Sequence, residues 1–151
     1  MDWCHYRFRS VWALPAAPER VFAVLERAEE YPYWWPQVRE VQPLDPVTGT
    51  ARFRSLLPYD LFVTGREQER DPAAGRLGIA MSGDLVGWAR WTVTGRGAVS
   101  RAVFEQEVEV RRPLMRRLAV PGRPVFLLNH AAMMRGGRRG LVEWLAADHV
   151  R

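Results

Sequence analysis

Among the side chains able to move a proton near neutral pH, His130 has the most informative surroundings. It lies in GRPVFLLNHAAMMRGGRRGLVEWLAA, Gly122 to Ala147, where Phe126, His130, Met133, Met134, Gly137, Leu141, Trp144 and Leu145 recur in steps of three and four. At ~100° per residue this is the apolar stripe of a helix lying on a core. An imidazole there is a candidate general acid or base. The same placement suits a neutral core histidine bonded to a backbone carbonyl or a Trp N–H. Asn129, beside it, either orients a carbonyl in a cavity or ties the helix to a loop.

No other chemistry-bearing pattern competes. His5, His130 and His149 are far apart in sequence, so no metal site is expected. Cys4 has only His5 beside it, and neighbours on a strand point to opposite faces, which argues against a Cys–His pair. The chain has no Lys, hence no phosphate-binding loop, and it has no GxSxG or CxxC. No cofactor is implied.

The elements that must position His130 can be read along the chain. The helix over Gly122–Ala147 has Pro124 placed for a first turn, where a missing N–H costs nothing. Asn129, Ala132, Gly136 and Gly140 form a second stripe small enough for another backbone to approach. Arg135, Arg138 and Arg139 point a third way, to water. Gly137 leaves a notch in the apolar stripe, which reads as a helix laid over a cavity.

His5 to Leu14 alternates as a first strand, with a slip near Ser10 that suggests a bulge. PERVFAVLERAEE follows as a helix with Val21, Phe22, Leu25 and Ala28 on one side. Tyr31-Pro32-Tyr33-Trp34-Trp35-Pro36 packs four aromatics between prolines and predicts a short, kinked second helix. Trp35 fits a core plug; Tyr33 and Trp34 are candidate pocket walls. Strands are expected at 38–44, 50–58, 60–70, 75–82, 86–95 and 98–111, separated by turn signals such as Asp45-Pro46 and Gly95-Arg96-Gly97. In the last strand Ala102, Phe104, Val108 and Val110 share the covered face, with Gln106 in register, a polar amide pointing inward. LMRRLAV, after Pro113, reads as one or two helical turns, and Val120-Pro121-Gly122 as a break before the long helix.

At 151 residues the chain fits one domain, 1–151, with a sizeable core. One Cys fits a reducing, cytoplasmic setting, and no apolar run is long enough to span a membrane. All 22 basic residues are Arg. Eight of them fall between Val110 and Val142 with no acid, leaving 14 Arg to face 17 acids elsewhere. Such a face is either solvated or docks an acidic partner protein, with Arg135, Arg138 and Arg139 as the candidates. No nucleic-acid motif accompanies the charge.

The order strand, helix, short helix, six strands, long helix is that of an α+β helix-grip fold: a seven-stranded curved antiparallel sheet wrapped around a long C-terminal helix, with two short helices after strand 1. Four segments resemble the START-like (SRPBCC) superfamily, in its polyketide cyclase/dehydrase-like branch. They are APERVFAVLERAEEYPYWWPQVREV, LPYDLFV at Leu57–Val63, GDLVGWARW at Gly83–Trp91 and NHAAMMRGGRRGL at Asn129–Leu141. The resemblance implies an inward Trp91 and a cavity between sheet and helix that holds a hydrophobic or aromatic small molecule: a lipid, a polyketide-like or a quinone-like compound. Tyr33, Trp34, Tyr59, Trp91, Phe104, Gln106, Phe126, Asn129, His130, Met133 and Gly137 are the expected ligand-binding residues. A cyclase/dehydrase using the same cavity, with His130 as acid or base, and an interaction module using the Arg-rich face are the alternatives.

Overall fold

In a computed structural model of the chain, residues 5–55, 60–111 and 119–148 are described, those at 119–122 and 148 by backbone alone. Tyr59, Cys4, His149 and the segment 113–118 lie outside them.

The described residues form seven strands, β1 (His5–Leu14), β2 (Val38–Asp45), β3 (Thr48–Phe53), β4 (Leu61–Asp71), β5 (Arg76–Gly83), β6 (Leu85–Arg96) and β7 (Val99–Val110), with inward apolar and outward charged side chains alternating most clearly in β1 and β7. They form one antiparallel sheet in the order β1-β7-β6-β5-β4-β3-β2. Helices α1 (Pro18–Leu25) and α2 (Tyr31–Trp34) follow β1, joined through a 3-10 turn at Ala28–Glu30, and α3 (Ala119–Asp148) is the last described element. This is the expected helix-grip arrangement.

Three local readings are corrected. β1 has no bulge: its pairing with β7 runs unbroken from His5–Glu109 to Leu14–Ser100. Tyr6, Phe8, Ser10, Trp12 and Leu14 all take the inner register, and Val11 lies on the outer face, 41% exposed. The apparent slip arose because a small Ser stands inside, opposite the large Phe104. β3 runs Thr48–Phe53 and stops short of the expected 58; one further backbone bond in the same register follows it, from the Arg54 N–H to the Gln37 carbonyl (2.7 Å). α3 passes straight through Val120-Pro121-Gly122. Pro121 takes the first turn, where its missing donor has no partner to lose. Pro124 falls in the second turn and there removes one backbone bond.

The concave face of the sheet carries the core in two clusters. One gathers Trp12, Leu14, Val21, Leu25, Trp34, Trp35, Trp91, Val93, Ala102, Met134, Leu141 and Leu145 beneath α1, α2 and the C-terminal half of α3. The other gathers Tyr6, Leu61, Val63, Met81, Leu85, Ala89, Val108, Val110 and Phe126 beneath its N-terminal half. Phe53 and Phe104 pack against both.

Candidate functional site

The stripe expected on α3 faces the sheet: Phe126, Met134, Gly137, Leu141 and Leu145 are buried, and His130, Met133 and Trp144 are half-buried. The small-residue stripe seats α2. A Cβ on Gly140 would lie 1.6 Å from the Trp34 carbonyl oxygen, and one on Gly136 would lie 2.5 Å from Gln37 Oε1. At Gly140 backbone thus meets backbone, and at Gly136 the helix backbone meets the Gln37 side chain.

The notch at Gly137 is filled, not hollow. Trp35 lies so close that a Cβ there would be 2.5 Å from its ring, and Trp12 would be 2.8 Å away. Missing that Cβ, the helix lets the Trp35 indole N–H donate to the Met133 carbonyl at 2.8 Å. Trp12 packs on Trp35 and Trp91 at 5.4 and 4.8 Å between ring centroids. Trp35 is the core plug the sequence suggested, and Trp91, Trp34 and Gly137 join this same packed end. Tyr33 faces away from it, 73% exposed, and stacks outside on Trp144 at 6.2 Å.

The other end of the helix–sheet interface brings polar groups together. Gln106 is inward and buried, as its register with Phe104 and Val108 predicted. Its amide N–H faces Met81 Sδ at 3.3 Å and its Oε1 meets His130 Nε2 at 3.1 Å. A thioether sulfur only accepts, so the amide nitrogen belongs beside it and the oxygen beside the imidazole. His130 therefore carries its proton on Nε2 and donates it, leaving Nδ1 a bare lone pair. The ring lies flat on Phe8, 3.6 Å between centroids and 6° between planes, with Phe104 at 6.2 Å. Phe126 continues the aromatic surface against Tyr6 at 4.3 Å and Phe8 at 6.3 Å. Asn129 is buried one residue from His130.

Burial pushes the His130 imidazole down to about 4, because the charged form loses water. No carboxylate stands within ion-pairing distance of it among the described residues. It is a neutral donor and acceptor at neutral pH, not a poised proton carrier. Sequence reasoning found His130 and Gln106 separately but missed Phe8 and Met81. Phe8 was legible from the β1 alternation once the bulge is removed.

Among the described residues no His, Cys, Asp and Glu gather as a metal would require, and no helix is long and apolar enough to cross a membrane. Arg135, Arg138 and Arg139 stand on the exposed side of α3.

Residues 6–149 match the family model described as polyketide cyclase/dehydrase and lipid transport. The chain belongs to that family. No curated protein matches it by sequence. Among solved structures it is similar to a protein from Thermus thermophilus (TM-score 0.72, 19% identity, 94% of this chain and 99% of that one). It is also similar to a START superfamily protein from Mycobacterium smegmatis (0.70, 16%, 92% and 98%). A third is the Zhui aromatase/cyclase from Streptomyces sp. R1128 (0.70, 16%, 92% and 94%). At these identities the likeness establishes the START-like fold of this family member.

Proposed function

We propose that the chain binds an apolar or flat aromatic small molecule carrying an oxygen function, at the end of the helix–sheet interface formed by Phe8, Phe104, Gln106, Phe126 and His130. The observation that carries this reading is the His130–Gln106 pair, a neutral hydrogen-bonding unit set among aromatic rings. Sites for such ligands are mostly apolar, with a few placed polar groups that fix orientation. The aromatic surroundings supply area, and the pair supplies direction. A lipid, polyketide-like or quinone-like molecule meets these terms, and the family's lipid-transport description agrees.

The family description also names cyclase and dehydrase activity, and the second reading is catalysis in the same place. A base is most effective when its pKa lies near the working pH. With its pKa at about 4, His130 is a weak base and is unprotonated as an acid. Binding is the better-supported reading for that reason.

The test uses two neutral probes of similar size, 1-naphthol and 1-methylnaphthalene, titrated against intrinsic Trp fluorescence. Both should saturate at one site, with naphthol about tenfold tighter, the worth of about one net hydrogen bond. Gln106→Leu combined with His130→Phe keeps the shape and removes the polarity, so that preference should vanish. If neither probe saturates, the reading fails. Turnover of a poly-β-keto substrate that is lost in His130→Phe while binding persists would favour the enzyme.

A further inference from the structure

A recess lies beside α3, where the helix passes the ends of β1 and β7. It is a groove of about 610 Å³ whose lining includes Ala13, Leu14, Val99, Ser100 and Val142, together with Arg135, Arg138 and Arg139. The three arginines are spaced i, i+3 and i+4, so they share one side of the helix. None has a carboxylate within 4 Å among the described residues, and Glu143 is the one acid in the lining. Arg138 is anchored by donating to the Ala13 carbonyl at 3.2 Å, which holds its guanidinium across the groove.

The independent observation is Ser100. It lines the groove, is only 7% exposed, and its Oγ has no hydrogen-bond partner. An orphaned buried hydroxyl costs free energy that a ligand oxygen can recover. Beside it, Leu14, Val99 and Val142 offer apolar surface, and Val99 is 62% exposed. A bare anion would use the arginines and leave that surface wet.

We propose that this groove binds a phosphate monoester of a small apolar group, with the phosphate held by Arg135, Arg138, Arg139 and Ser100 and the apolar body against Leu14, Val99 and Val142. Guanidinium forks match phosphate oxygens in geometry and charge. A dianion also balances three arginines against one glutamate. The recessed serine favours a soluble ester that enters the groove over a headgroup left in a membrane surface. The site is separate from the aromatic one and does not depend on it.

Isothermal titration calorimetry with hexyl phosphate, inorganic phosphate and phosphatidylglycerol vesicles tests this on the full chain. Hexyl phosphate should bind one to one, at least tenfold tighter than inorganic phosphate, and should not displace 1-naphthol. Arg135→Gln with Arg139→Gln should weaken it at least tenfold, and Ser100→Ala by several-fold. The serine variant removes an unsatisfied hydroxyl, so its thermal midpoint should hold or rise and folding is not in question. Equal affinity for hexyl and inorganic phosphate, or affinity unmoved by Ser100→Ala, would reduce the groove to a patch of positive charge and overturn the proposal. So would binding to vesicles without binding to hexyl phosphate.

Discussion

His130 binds no proton in the folded chain until the pH approaches 4, whereas an ordinary histidine takes one near 6.5. Between those values the unfolded chain binds more protons than the folded one, so this residue's contribution to stability is lost as pH falls from about 6.5 to about 4. The full loss is about 3 kcal/mol. Urea unfolding of the wild type and of His130→Phe at pH 7 and pH 4 isolates it, because the carboxylates titrate alike in both. The wild type should lose about 3 kcal/mol more than the variant; equal losses would mean that the imidazole is not held neutral by burial. At this scale the sequence was partly legible. Helical spacing put His130 on the inner stripe, and strand alternation put Gln106 inward, but their meeting depends on how far along the sheet α3 lies. No local pattern encodes that offset.

Between elements, the seat of α2 on α3 is set by the absence of two Cβ atoms. Gly140→Ala would drive a methyl into the Trp34 carbonyl, a backbone atom that cannot turn aside. The expected cost is about 3 kcal/mol or more, beyond the roughly 1 kcal/mol that the helix gains from Ala. Gly137→Ala meets indole rings instead and loses the Trp35–Met133 bond, for about 1–3 kcal/mol. Thermal melts should drop for both and further for Gly140→Ala; a rise for that variant would disprove the close approach. The small stripe on α3 was readable as a place for backbone contact, and the strands were readable from their turns. The notch at Gly137 was misread as empty because Trp12 and Trp35, which fill it, belong to β1 and to the end of α2, far back along the chain. A gap in one helix says nothing of what another element brings to it.

For the molecule as a whole, the two ends of the sheet differ in chain distance. β2, on one edge, meets β3 across a turn, with the Val47 N–H held by Asp45 Oδ1 at 2.9 Å. β1, on the other, is paired only with β7, and Arg7 and Glu107, which join across that seam at 2.7 Å, are 100 residues apart in sequence. The aromatic site and the arginine groove both use residues from each side of this seam. Its consequence is kinetic. The first strand to be synthesised must wait for the last, and long loops closed before any contact rewards them slow the search for the native state. Refolding followed by pulsed hydrogen exchange should show the amides of β4, β5 and β6 protected first, and those of β1 protected together with β7. If β1 gained protection with α1, its immediate neighbour in sequence, closure of the seam would not be the late event. Until that seam closes, neither proposed surface is assembled, so any affinity for 1-naphthol or hexyl phosphate should appear only in the final phase of folding.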